Sequence, residues 1–356
     1  MIWKEREVSG AETALLVRAG ESPLMARLLA LRGVTADTLE EFFNPSHKNL
    51  LPPGRLPGID EAVLAVMAAK RENRKTVILG DYDCDGICAT AILVKTLEIL
   101  EFDVHPFLPK RMEEGYGLNA KTVERLLKEH PDVKFVVTVD NGINSVDETA
   151  FLKSKGIDVV VTDHHLPPEA LPECDALVDP KVPGQSAAAE ELGAKNLCGA
   201  GVAFFLANML AAKATESGIY GGEKFGAPLL VLAGIATVVD IVPLLGQNRI
   251  LVANALRTFR SAAPVGLHEL LLRAQRRPVD LSSRDFGFLL GPRINAAGRM
   301  ASAREAFDLL MASDREAARE HAFRVDTRNA ERKTVENRMA EDALAMKKYW
   351  MERKGE

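Results

Sequence analysis

Three short apolar runs in this chain end alike. Thr76-Val77-Ile78-Leu79-Gly80 runs into Asp81-Tyr82-Asp83-Cys84-Asp85-Gly86. Phe135-Val136-Val137-Thr138-Val139 runs into Asp140-Asn141-Gly142, and Val159-Val160-Val161-Thr162 into Asp163-His164-His165. Runs this short and this rich in β-branched residues, closed by turn formers, read as strands covered on both faces. Strand segments are expected at 76–80, 104–108, 135–140, 158–162 and 176–179. Helices are expected between them at about 60–71, 87–101, 119–129 and 145–155. That alternation predicts an α/β fold, a parallel five-stranded sheet flanked by helices with right-handed crossovers. In such sheets ligands bind outside the carboxyl ends of the strands, where the acids and histidines lie.

The bulk properties narrow the class. The chain has 356 residues, 47% hydrophobic and 27% charged, long enough for a large core and two domains. Met1-Ile2-Trp3-Lys4-Glu5-Arg6 opens a polar segment unlike a secretory leader. The longest apolar stretch, Leu229 to Val239, is too short to span a bilayer and reads as a buried helix. Cys84, Cys88, Cys174 and Cys198 form no redox or zinc-knuckle spacing and read as reduced thiols. A cytoplasmic protein with no membrane attachment is expected. The net charge of −5 excludes a general nucleic-acid coat but not a local basic track. Between Ala255 and Arg304 there are nine Arg, no Lys and three acids, 9 − 3 = +6.

Along the chain, residues 1–55 read as a small helical segment, with Ser22 to Leu31 in helical period and Pro52-Pro53-Gly54 at its end. Residues 56–310 read as one catalytic domain. Within it, 181–197 reads as a mobile loop, 198–260 as mostly helical and 261–298 as loop-rich. Residues 311–356 read as one long helix, opened by a capping box at Ser313-Asp314-Arg315-Glu316. About 40 residues at 1.5 Å each would span roughly 60 Å. Its apolar stripe, Ala322, Val325, Val335, Met339 and Ala343, is thin. A solvated spacer fits that stripe better than a coiled coil.

The chemistry gathers at the strand ends. One Asp at a helix start is ordinarily a cap, but Asp81, Asp83 and Asp85 in one strand-to-helix turn repel one another unless a cation sits among them. Asp140 alone would be a turn former; beside the first cluster it reads as a metal ligand. Adjacent imidazoles with carboxylates suit Mn²⁺, with Mg²⁺ a weaker fit. Asp240 stands alone in an apolar stretch and needs a partner, a metal rather than a buried Arg. Such a set can hold two ions, activate a water and clamp a phosphoryl group. Lys110 and Arg111 read as phosphate contacts and Tyr116 as a base-stacking surface.

These residues resemble the ordered motifs of the DHH phosphoesterase superfamily: Asp81 to Gly86, Asp140-Asn141-Gly142, Asp163-His164-His165 and Asp240. Lys110-Arg111 through Leu118, Cys198 through Val202 and Gly291 through Met300 are similar to its RecJ branch. The resemblance covers about residues 20–356. It implies a hydrolase, a 5′→3′ exonuclease on single-stranded DNA in recombination and repair. By position it implies two Mn²⁺ ions on Asp83, Asp85, Asp140, His164 and Asp240. His165 would be a ligand or phosphate contact, and Asp81 and Asp163 would support the ligands. Arg111, Arg293, Asn295 and Arg299 would hold DNA phosphates. The implied partners are a single-strand-binding protein and a helicase, and a monomer is expected. Leu79 stands where the pyrophosphatase branch has a ligating His, which argues against pyrophosphate. The family's second, DHH-associated domain and OB-fold have no counterpart, and Gly221-Gly222 precedes Glu223 rather than His, so the chain reads as an N-terminal catalytic part. Alternatives are a phosphodiesterase for dinucleotides or short oligonucleotides, and a non-catalytic single-strand-binding replication scaffold.

Overall fold

The computed structural model describes residue 4, residues 6–216 and residues 226–353; the Gly221-Gly222 pair lies outside them. Chain contacts define two units, Met1–Leu50 and Leu51–Glu356. The first holds α1 (Gly10–Arg18), α2 (Pro23–Ala30) and α3 (Leu39–Phe43). Ser9 and Ser22 cap α1 and α2 by accepting the Glu12 and Met25 amides. Leu16, Ala26, Leu29 and Val34 form its small core.

The second unit begins with the sheet. Its elements are α4 (Ile59–Arg71), β1 (Thr76–Leu79), α5 (Cys84–Ile99), β2 (Val104–Phe107), α6 (Arg111–Glu114), α7 (Ala120–Glu129), β3 (Phe135–Val139), α8 (Val146–Ser154), β4 (Asp158–Thr162) and β5 (Ala176–Val178). The strand order is β2-β1-β3-β4-β5, and every neighbouring pair is parallel. Register puts Val77, Val136 and Val159 in one row. With Leu79 and Val161 they face Val123 and Leu126 of α7 and Leu152 of α8 in one buried cluster. The opposite face is covered by α5 and by α10 (Gly199–Glu216). Burial on both faces explains why the strands read as continuous apolar runs, each fully buried Val or Ile contributing about 1.5–3 kcal/mol. The order of strands reverses between β1 and β3. This switch point opens a crevice at the carboxyl ends of those two strands.

Helices complete the unit: α9 (Ser186–Glu191), α10, α11 (Gly226–Val239), α12 (Gly246–Ala262), α13 (Val265–Arg273), the single turn α14 (Ser283–Asp285), a π-helical turn at Phe286–Leu290, α15 (Gly291–Met300), α16 (Ala303–Met311) and α17 (Arg315–Arg353). Four expectations are corrected. The segment 181–197 is not all loop, because Ser186–Glu191, mostly Ala and Glu, forms α9. The stretch 261–298 is largely helical, with prolines that start helices instead of breaking them. Pro264 caps α13, and Pro278 and Pro292 fall in the first turn of a 3₁₀ helix and of α15. The second helix of the sheet, α5, starts at Cys84 rather than 87, so Asp83 is its cap and Asp85 lies in its first turn. Finally, Asp314 and not Ser313 caps α17, its Oδ1 accepting the Glu316 and Ala317 amides at 3.0 and 2.9 Å.

The long helix also divides. Ala318, Ala322, Val325 and Asn329 are buried where α17 packs on α13, α15 and α16. Val335 and Met339 are 46% and 65% exposed, and every side chain from 333 to 347 faces solvent. The expected solvated spacer therefore describes only the second half. No helix among the described residues is long and apolar enough to cross a membrane.

Candidate metal centre

The strand ends bring the acids and imidazoles together at the switch point. After β1, Asp83 caps α5, its Oδ1 accepting the Asp85 and Gly86 amides at 3.0 and 3.1 Å. Asp85, 2% exposed, accepts the Gly199 and Ala200 amides at 2.7 and 2.8 Å. These are the first two amides of α10, a helix end suited to an anion. After β3, Asp140 has φ of 62° and is 3% exposed. A left-handed Asp is tolerable because its short side chain leaves the backbone free. Gly199 fits against it: a Cβ there would lie 2.7 Å from Asp140 Oδ1.

After β4, Asp163 spends both oxygens on its own turn. Oδ2 accepts the Ile143 amide at 2.9 Å, and Oδ1 accepts the His164 amide at 2.7 Å, the His165 amide at 3.2 Å and His165 Nδ1 at 2.7 Å. This holds the backbone of both histidines and the His165 ring, and leaves His165 Nε2 without a hydrogen bond among the described residues. His164 Nε2 lies 2.9 Å from Asp140 Oδ1 and 3.6 Å from Asp85 Oδ2, and its Nδ1 lies 3.8 Å from Asp240 Oδ2. Asp240 comes from the residue following α11 rather than from within a helix, and its carboxylate is a quarter exposed rather than buried.

Two groups of ligand atoms result, each within 4.8 Å internally: Asp140 with Asp163, His164 and His165, and Asp85 with His164 and Asp240. His164 belongs to both. Asp83 and Asp81 belong to neither. Inside this site both ring nitrogens of His164 and Oδ1 of Asp140 are buried without a hydrogen-bond partner. Buried polar atoms in that condition cost free energy unless something else meets them. A divalent cation on Asp85, Asp140, His164 and Asp240 fits that requirement and the mixed oxygen and nitrogen donors.

Electrostatics agree with a site built for cations. Burial, then repulsion from Asp83, pushes Asp81 up to about 7. Burial lifts Asp85 to about 6, with Asp240 and Asp83 adding to the rise. Burial and then Asp83 take Asp240 to about 6, and burial followed by Asp85 takes Asp140 well above the carboxylate range. Burial lowers His164, favouring the neutral imidazole that ligates metals. The hydrogen bond to Asp163 raises His165 to about 9.

The residues expected to hold DNA fall into two kinds. Arg293 donates to Asp326 Oδ1 at 3.0 Å and to the Leu289 carbonyl at 2.9 Å, and Asn295 Oδ1 accepts the Cys84 amide at 2.6 Å. In this structure both tie α15 to its neighbours. The Arg-rich track is largely spent likewise, on Arg276–Asp285, Arg277–Asp280 and Arg304–Asp308 pairs. Lys110 and Arg299 are exposed, and Arg299 has no side-chain partner among the described residues. Arg111 lies over the Tyr82 ring at 4.8 Å, and the Tyr82 and Tyr116 centroids are 5.8 Å apart. Sequence reading missed Tyr82, whose only signal was its place among three acids. It also missed the Gly199 and Ala200 amides, because backbone donors leave no trace in residue type.

Comparison with known proteins follows the same lines. Residues 75–235 match the family described as DHH family, N-terminal domain. The chain is 40% identical over 328 residues to the single-stranded-DNA-specific exonuclease RecJ of Haemophilus influenzae, covering 90% of this chain and 55% of that protein. A crystal structure of exonuclease RecJ bound to manganese superposes with TM-score 0.72 at 34% identity, covering 82% of this chain and 70% of that one. RecJ from Thermus thermophilus in complex with Mn²⁺ gives TM-score 0.75 at 31% identity, covering 94% of this chain and 46% of that one. The chain spans about half the length of the curated relatives it matches. With its acids and its Asp-His-His turn in the order and geometry described, the chain belongs to the RecJ family of DHH proteins.

Proposed function

We propose that this chain is the catalytic core of a metal-dependent 5′→3′ exonuclease that hydrolyses phosphodiester bonds of single-stranded DNA. The observation carrying this reading is the pair of ligand groups that meet at His164, whose buried ring nitrogens face the Asp140, Asp85 and Asp240 carboxylates at 2.9, 3.6 and 3.8 Å. Asp85, Asp140, His164 and Asp240 would hold two Mn²⁺ ions, or Mg²⁺ with poorer fit to the imidazole, and Asp83 is placed to join them. Divalent ions there supply a lowered water pKa and neutralise phosphate charge. The chain's own residues do the rest. Asp163 holds the His164 backbone and the His165 ring, so that Nε2 of His165 can donate to a phosphate oxygen. Asp81 accepts the Tyr82 amide and holds the turn that presents Asp83. Arg111 and the exposed Tyr116 ring, backed by buried Tyr82, form a platform for an unstacked base, with exposed Arg299, and Lys110 beside Glu113, for phosphates. Arg293 and Asn295 act through α15, holding Arg299 in place.

Strand polarity, a role in recombination and repair, cytoplasmic location and monomeric action belong to this reading only as what the family resemblance implies. So do a helicase that supplies single strands and a single-strand-binding protein that covers them. Crystals soaked in Mn²⁺ and measured at the Mn edge should show two anomalous peaks among Asp85, Asp140, His164 and Asp240. A 5′-labelled oligonucleotide should release mononucleotides with Mn²⁺. Rapid cleavage of dinucleotides with no attack on long strands would favour the short-oligonucleotide phosphodiesterase. Binding without any hydrolysis, in the longer protein as well, would favour a scaffold.

A further inference from the structure

Three unusual features meet on the α11 side of the metal centre. Ile241 directly follows Asp240, has φ of 62° and is 87% exposed. A β-branched residue in the left-handed region is strained, and helices that end this way ordinarily use Gly. The strain therefore holds a bulky apolar side chain in water beside a metal-site carboxylate. Next to it runs the π-helical turn Phe286–Leu290, a rare conformation frequent at functional sites. This turn packs on the last turn of α11: a Cβ at Gly287 would lie 3.3 Å from Val238, and Gly291 lies against Val239, the residue before Asp240. Its extra residue turns Phe288 outward, 79% exposed, while neighbouring Phe286 and Leu290 are buried. The Arg284 guanidinium lies 5.6 Å from the Phe288 ring centroid.

We propose that Phe288, backed by Arg284 and carried on the turn that packs against the end of α11 just before Asp240 and Ile241, is a second base-stacking platform for single-stranded nucleic acid. This rests on the reading of the centre as a DNA-cleaving site. An aromatic face beside an Arg is the pairing that holds unstacked bases, because every base has a π-face and every link carries a phosphate. The first platform takes Arg111 and Tyr116 from the segment after β2, with Tyr82 behind them after β1; the second lies in the π-helical turn that packs on the last turn of α11. Asp83 and Asp240, the acids next to each, border the same centre. A strand lying across the ions would thus be held by its bases on both sides of the cut. Paired bases, already stacked, could not use either surface, so the two together select single strands.

The test uses fluorescence anisotropy with an oligo(dT) and an abasic oligomer of equal length, in Ca²⁺ to prevent turnover. Phe288→Ala should weaken oligo(dT) binding about tenfold, leave the abasic oligomer unchanged and preserve Mn²⁺ affinity. Arg284→Ala should weaken both oligomers and reduce the salt slope. Ile241→Gly should raise Tm by relieving strain while weakening oligo(dT), a combination that a purely structural role does not produce. Equal loss for both oligomers, or no loss, on Phe288→Ala overturns the proposal. So does a Phe288-dependent dimer by sedimentation with unaltered DNA binding, which would make this patch a self-contact. Tyr116→Ala separates the two levels. If it weakens oligo(dT) and Phe288→Ala does not, only the second platform fails. If the wild-type protein binds neither oligomer, the DNA reading itself fails.

Discussion

The strand-borne and helix-borne sides of the metal centre are held in opposite ways. On the strand side, Asp85 is fixed by two amides of α10, Asp140 by its left-handed backbone against Gly199, and His164 by the Asp163 turn. All three are nearly inaccessible to solvent. On the helix side, Asp240 hangs just past the end of α11, a quarter exposed, with no hydrogen bond to its carboxylate among the described residues. The next residue is strained and almost fully exposed. Strand ends and buried amides preorganise one set of candidate ligands, while a helix terminus leaves the other less constrained.

The largest effect should come from the strand side. Asp140→Asn keeps the left-handed backbone that Asn tolerates. It should lower Mn²⁺-dependent hydrolysis on the order of a thousandfold, about 4 kcal/mol in the barrier, with Tm little changed. Turnover within a few-fold of wild type would show that Asp140 is no ligand. Asp240→Asn should cost less, roughly a hundredfold, and recover partly at high Mn²⁺ because the preformed strand-side ligands remain. Equal, unrecoverable loss in the two variants would break the contrast between the sides.

Removing metal probes both sides at once. Asp85 and Asp240 at about 6 and Asp81 at about 7 lie above the ordinary Asp value near 4. The folded state therefore binds these protons more tightly than the unfolded state. Their repulsion is absent near pH 4, and stability is lost as pH rises through 6 to 7. His165 at about 9 acts in the same direction, its contribution fading as pH climbs towards 9. In chelator, thermal denaturation should show Tm falling from pH 5 to pH 7.5, by a few kcal/mol of stability at most. Saturating Mn²⁺ should reverse the trend. A Tm that rises with pH in chelator would contradict the buried, unneutralised carboxylates. The smallest effect is expected at the rim. Arg299→Ala should weaken oligo(dT) by about 1 kcal/mol and lower the salt slope by about 0.7, the value of one single-strand phosphate. An unchanged slope would remove Arg299 from the phosphate path.

Much of this architecture was legible in the residues. Five strands appear within a residue or so of their expected bounds; for β1, β3 and β4 this is because burial on both faces writes itself as runs rich in Val and Ile. The acids and histidines stood out because parallel strands place their carboxyl ends on one edge, whatever the loops do. The stretch 261–298 was misread because proline carries two meanings, helix breaker and helix starter, and only packing shows which applies. The Arg293 pairing with Asp326, 33 residues away, left no local sign in the sequence.

By itself, then, the order of apolar runs and polar ends determined a parallel α/β sheet with a cation site at one edge, since local periodicity and residue chemistry suffice for both. Tertiary structure decided what depends on distant chain segments meeting. It placed the α10 amides on Asp85, put His164 into both ligand groups and made Asp83 the cap of α5. It spent most of the basic track on internal ion pairs and brought Ile241 and Phe288 out beside the centre. Which charges stay free and which apolar groups stay wet are set by three-dimensional packing, which no short stretch of sequence encodes.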